Sequence, residues 1–246
     1  MMRTEIVDPR TVARELPGLF EIVFPGLTPG LVAHLNGSRS ALPDAPVSDD
    51  LIRSSVMSPA LLFEVACVRA DRLVEGNEAA DDAGSCLAEA WLQQSRFYDA
   101  RRVETIGDQD WSTACLVGDS LYRSLLIAEG TMGGPLVVRP SVPGCQWIGN
   151  SWGDYAVGDC LVEVKCVSGN FGGADYRQVL IYWMLSLVAE IEGHGSAWKE
   201  AVLINPRRGL MVDLHLPDLL AIVGRGATHV EMMQRFLSVV GERSPR

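Results

Sequence analysis

Asp154, Glu163 and Lys165 are the residues with which chemistry could begin, because they flank a two-residue turn signal, Gly158-Asp159, set between two β-prone runs. Such a pattern is a strong short-range hairpin signal. With Gly158-Asp159 as the loop, Val157 opposes Cys160, Ala156 opposes Leu161 and Asp154 opposes Glu163. Opposed residues share a face, and so does Lys165, two positions beyond Glu163. Two carboxylates and one ammonium therefore meet on one patch, while Tyr155, Val157, Val162 and Val164 line the other.

That patch suits phosphodiester hydrolysis. The reaction needs a divalent cation to generate hydroxide and to neutralise charge in the transition state. Magnesium prefers oxygen ligands, so carboxylates, a backbone carbonyl and water form its natural cage. Asp154 and Glu163 could supply the carboxylates and Val164 the carbonyl, with Lys165 orienting the attacking water or stabilising negative charge. The competing reading is a surface hairpin with one cross-strand ion pair. Lys165 weighs against it, as one of only two lysines; the other, Lys199, lacks such surroundings.

Several elements must position these groups. Residues 1–50 are rich in Pro-Gly and Asn-Gly turns and read as a wrapping arm, with short helical pieces near Asp8 to Glu15 and Gly30 to Leu35. Ser58-Pro59 opens a helix, serine as N-cap and proline at the first helical position, running to Gly76-Asn77. A second helix starts near Asp81 and passes Trp91 and Tyr98. A third runs from Asp110 to about Ala128, with Leu116, Leu121, Leu125 and Leu126 as its apolar stripe. A strand is expected at Pro135 to Val142, then the hairpin at about 147–157 and 160–167. A helix follows at Ala174 to Glu192, then strands at Glu200 to Asn205 and Gly209 to Leu214. Pro217 begins a final helical segment to Val240, interrupted near Gly224 and Gly226. The expected class is mixed α/β, with a helical region at 51–130 packed on a core at 131–246.

On the first face of the Ala174 helix, Gln178 and Tyr182 stand four apart, beside Arg177. Polar groups at the start of an otherwise apolar helix suggest that this end meets something wet; a core tyrosine and a rim glutamine are the alternative.

Together these residues resemble a known family. Asp154, then Glu163-Val164-Lys165 at the end of an apolar strand, then Gln178-x-x-x-Tyr182 on the next helix, resembles the PD-(D/E)XK nuclease superfamily, in its branch with a QxxxY helix. Gly149 to Lys165 also looks like the hairpin of uncharacterised bacterial members. The resemblance covers about residues 135–215. It departs from the pattern at Trp152-Gly153, where a proline often precedes the first acid, and in the short interval from Asp154 to Glu163. It implies a restriction-endonuclease-like αβββαβ core with metal ligands Asp154 and Glu163 and catalytic lysine Lys165. Gln178 and Tyr182 would position substrate or water, with Mg2+ or Mn2+ as cofactor. Many members carry a further acid on an upstream helix. Glu64, a lone charge within Leu-Leu-Phe-Glu-Val-Ala, is the first candidate and Glu89 the second.

The expected substrate is DNA, with RNA as a second class. Arg207 and Arg208, after the Glu200 strand, and Arg177 are candidate phosphate contacts; a solvated turn is the other reading of Pro206-Arg207-Arg208-Gly209. Arg101-Arg102 reads as a helix-end cap. The net charge of −10 runs against a self-sufficient nucleic-acid binder. A protein partner supplying basic surface, as in phage-defence assemblies, would resolve this, as would a catalytically silent scaffold subunit; an oligomer is compatible with either. In 246 residues with 48% hydrophobic content there is ample material for a core. The longest apolar run, Val179 to Ala189, is too short for a membrane span. The six cysteines form no CxxC pair and the four histidines show no ligand spacing, so a reduced, cytoplasmic protein is expected.

Overall fold

Gly158 adopts a left-handed backbone conformation, φ 53°, and a Cβ there would lie 2.6 Å from the Gly133 carbonyl oxygen. Only glycine fits this turn. The computed structural model describes residues 6–15, 18–94 and 103–242. Its first half comprises α1 (Pro9–Glu15), α2 (Leu19–Val23), α3 (Pro29–Gly37), β1 (Ser40–Ala41), α4 (Asp49–Ser54), α5 (Pro59–Val74), a 3-10 turn (Glu78–Asp81), α6 (Ala83–Gln94) and α7 (Asp108–Met132). The second half comprises β2 (Leu136–Val138), β3 (Ser141–Val142), β4 (Ser151–Trp152), β5 (Tyr155–Val157), β6 (Cys160–Val164), α8 (Gly173–Ile191), β7 (Glu200–Asn205), β8 (Leu210–His215), α9 (Leu216–Val223) and α10 (His229–Glu242).

The main sheet is mixed and six-stranded, in the order β1-β8-β7-β6-β5-β2. Strands β6 and β7 run parallel, joined by α8, and every other neighbouring pair is antiparallel. The hairpin has the expected register, Val157 opposite Cys160 and Ala156 opposite Leu161. Strand alternation then divides the core. Leu161, Ala201, Leu203 and Val212 face α8 and the arm helices α1 and α2. Tyr155, Val157, Val162 and Val202 face the other way, toward α5 and α7.

Local chemistry explains the key helices. Ser58 caps α5, its side chain accepting from the Leu61 N–H at 3.2 Å, with Pro59 at the first position. The chain from Pro135 to Val142 is not one strand. Arg139 has φ 53° and Pro140 follows, so the chain turns out of the main sheet and β3 pairs with β4 in a separate two-stranded sheet. The stripe of α7 also differs from expectation. Leu121 and Leu125 are buried, but Leu116 and Leu126 are exposed, and Ala114, Val117 and Ala128 take the inner positions instead. The helical period from Leu121 selects those small residues, which let α7 lie close to α5. Tyr98 and Arg101-Arg102 lie outside the described residues. Among the described residues no helix is long and apolar enough to cross a membrane.

Close approach of α5 and α7 has a testable consequence. A Cβ on Gly118 would lie 2.8 Å from the Ala66 carbonyl oxygen. Alanine in a helix interior gains roughly 1 kcal/mol over glycine, but overpacking costs roughly 1–3 kcal/mol. The clash should win, so Gly118→Ala is expected to cost about 1 kcal/mol of stability, read as a lowered urea midpoint. A raised midpoint would show that the two helices have room to separate.

Candidate functional site

Glu163 points from β6 toward α8 and is completely buried. Its Oε2 accepts from Lys165 Nζ at 3.0 Å and from Gln178 Nε2 at 2.6 Å. The other oxygen, Oε1, is buried without a hydrogen-bond partner. It lies against Gly153, where an added Cβ would come within 3.6 Å of it and within 3.0 Å of Leu161 Cδ1. Asp154 sits just before β5. Its Oδ2 accepts from the Val164 N–H at 2.8 Å and lies 4.0 Å from Lys165 Nζ. The lysine thus stands between both carboxylates.

The α8 pair completes the cluster. Gln178 donates to Glu163 and, at 3.3 Å, to the Tyr182 hydroxyl. Four-residue spacing on one helix face allows a single amide to hold both. Tyr182 also accepts from Arg10 Nε at 2.9 Å. The residue is completely buried, and that burial pushes the phenol up to about 12, so it stays neutral.

Arg10 is the residue that sequence reasoning missed. It comes from α1, far from the motif, and its Nη2 donates to the Trp152 carbonyl at 3.0 Å and lies 3.5 Å from Asp154 Oδ1. No spacing rule connects it to Asp154; the sole hint is that the turn-rich arm contains a helix at all. That helix is tied down, with Asp8 accepting from Ser151 Oγ at 3.1 Å and Val7 exchanging main-chain hydrogen bonds with Trp147 and Gly149.

Electrostatics follow from burial. Burial raises Glu163 above the usual carboxylate range and Asp154 adds to it, while Lys165 pulls the other way. Burial disfavours the Lys165 ammonium, but the two carboxylates outweigh it and the lysine stays charged. Glu64 on α5 has no hydrogen bond among the described residues, and burial, then repulsion from Asp154, pushes its carboxyl up to about 7. It therefore shares the electrostatic field of the cluster. Glu89 does not: it pairs with Arg72 at 2.9 Å, beside Arg139 and Asp71.

The donor set fits a hard cation in kind: two anionic oxygen donors, one of them an orphaned buried oxygen, with a third acid in the same field. Among the described residues no three His, Cys, Asp or Glu side chains already converge as a cage. The candidate phosphate-binding arginines lie apart from the cluster. Arg177 donates to the Ala13 carbonyl at 3.0 Å and stacks over Phe20, holding the arm on α8. Arg207 is buried, paired with Asp49 at 2.8 Å and stacked over Phe63. Arg208 has no ion pair among the described residues; its N–H closes the turn onto Asn205.

Comparison of the chain with protein-family models, with curated proteins and with solved structures returned no match.

The raised Glu64 makes a pH prediction. Its folded value of about 7 exceeds the ordinary 4.5, so between these values the folded chain holds a proton that the unfolded chain has released. Stability should therefore fall as pH rises through that window. Glu64→Gln removes the effect: it should melt above wild type at about pH 8, by on the order of 3 kcal/mol, and converge with it near pH 4. Parallel melting curves across that range would contradict the assigned burial.

Proposed function

We propose that this chain is a divalent-metal-dependent nuclease that hydrolyses DNA phosphodiester bonds on a restriction-endonuclease-like core. The observation that carries the reading is the convergence of Asp154, Lys165, Gln178 and Tyr182 around a completely buried Glu163. A structural ion pair needs neither the glutamine nor the tyrosine. A buried charged centre with an unsatisfied oxygen is also poor evidence of stabilisation, so a role in chemistry accounts for it better. With β3 and β4 set apart in their own two-stranded sheet, the order α7, β2, β5, β6, α8, β7 in the main sheet and its helices supports the αβββαβ core.

In this reading Asp154 and Glu163 would hold Mg2+ or Mn2+, with the Val164 carbonyl and Glu64 as further oxygen donors. The cation would neutralise phosphate charge and acidify a water. The chain does the rest. Gln178 fixes the Glu163 carboxylate in one orientation by bonding one of its oxygens. Lys165 holds a proton and a positive charge beside both acids, where it can orient the attacking water or stabilise negative charge developing on the phosphate. Tyr182, completely buried, acts through Gln178 and Arg10, whose N–H groups donate to its hydroxyl.

A second reading is a catalytically silent scaffold of the same fold. It is favoured by the net charge of −10 and by Arg10, which already places positive charge 3.5 Å from Asp154. Calorimetric titration with Mg2+ and Mn2+ separates the two, since a scaffold need bind neither. A basic protein partner would reconcile activity with the acidic chain.

For the nuclease reading, Glu163→Gln and Lys165→Ala should each reduce Mn2+-dependent cleavage of plasmid and linear DNA by at least about 100-fold, with circular dichroism unchanged. Wild-type rates in both variants would remove the assignment.

A further inference from the structure

Trp152, two residues before Asp154, has 58% of its surface open, and among the described residues it is the one exposed tryptophan. The contrast with Trp147 is informative: that indole is buried and donates to the Val240 carbonyl at 2.6 Å. The Trp152 indole N–H has no acceptor among the described residues. An exposed indole need not signify anything, but the backbone that carries this one is held by several hydrogen bonds. Strand β4 pairs Trp152 with Ser141, its neighbour Ser151 is bound to Asp8, and the Gly153 N–H donates to the Pro140 carbonyl at 2.9 Å. Its own carbonyl accepts from Arg10.

Arg10 supplies the second half. One edge of its guanidinium is pinned by Tyr182, Trp152 and Asp154, while Nη1 has no partner among the described residues and the side chain is 42% exposed. A guanidinium fixed on one edge and open on the other suits a phosphate oxygen. The Trp152 main-chain carbonyl thus ties the residue that bears the indole to Arg10, next to Asp154.

We propose that Trp152 and Arg10 form a platform for one unpaired nucleotide, the base stacking on the indole and its phosphate meeting Arg10, so that the substrate is single-stranded DNA rather than intact duplex. Paired bases in a duplex hide the faces that an indole would stack on. The acidic chain favours the same occupant, because a surface with net charge −10 gains little from counterion release and needs stacking for affinity. The proposal rests on the nuclease reading of the adjacent cluster.

The test uses the full chain carrying Lys165→Ala, in magnesium, with fluorescence anisotropy of a short labelled single-stranded DNA and its blunt duplex. The background variant should bind the single strand at least ten-fold tighter than the duplex. Adding Trp152→Ala should weaken single-strand binding roughly ten- to a hundred-fold, the effect of one stacked base, with little change on duplex. Trp152→Phe should retain most of the affinity, and Arg10→Gln should flatten its salt dependence. Unchanged binding in Trp152→Ala, equal losses on both DNA forms, or binding to neither form would overturn the platform. So would a change of sedimentation in Trp152→Ala with single-strand binding intact, which would make the indole a contact between copies. Cleavage by the native chain distinguishes the two ideas. Platform-dependent binding without any cutting sinks the nuclease reading alone; cutting by Trp152→Ala at wild-type rates on both DNA forms sinks the platform alone.

Discussion

Glu163 is an acid with no exposed surface, and that constraint shapes everything near it. Taking a carboxylate from water costs several kcal/mol even after relaxation. Lys165 and Gln178 offset part of that cost at one oxygen, while the other is left without a partner. The two compensating groups come from different elements, so β6 and α8 must keep a fixed relation for the acid to remain buried. Parallel pairing of β6 with β7, joined by α8, provides that rigidity.

The same constraint gives meaning to the arm. Val12 and Ala13 of α1 and Leu19, Phe20 and Val23 of α2 are buried in the same cluster as α8 and α10, so these two helices belong to the core of the molecule. Arg177 contributes by holding Ala13 and Phe20, which makes it a tie between arm and helix. From this anchored position α1 delivers Arg10 to Tyr182 and Asp154. Charge is therefore brought to the cluster by packing of apolar residues some distance away.

A net charge of −10 is also easier to understand in structural terms. Arg69, Arg72, Arg123 and Arg207 are all engaged with acids, and several are buried. These four arginines thus serve the helical region and its junctions rather than a shared basic surface. The half-exposed Arg10 and Arg139 are anchored by Asp154 and Asp71, on elements joined where the Arg139 N–H donates to the Asp154 carbonyl at 3.0 Å.

Much of the centre was legible from residue order, because hairpin register and helix face are local properties. Gly158-Asp159 and the alternation of β6 suffice to put Glu163 and Lys165 on one side, and a four-residue interval suffices to align Gln178 with Tyr182. Ser58-Pro59 likewise marks the start of α5 through its own backbone chemistry. The inner stripe of α7 is not legible in the same way, because a leucine is apolar wherever it falls and only the packed neighbour decides which helix face is inside. The partners of Arg10, Arg177 and Arg207 are set by contacts between segments far apart in the chain, for which no spacing rule exists. The sequence by itself determined the acids, the lysine and the face they share. Tertiary structure alone decided that Glu163 would be sealed from water, that Glu64 would feel Asp154, and that an arginine from the first helix would reach them, since burial and long-range charge depend on which surfaces meet.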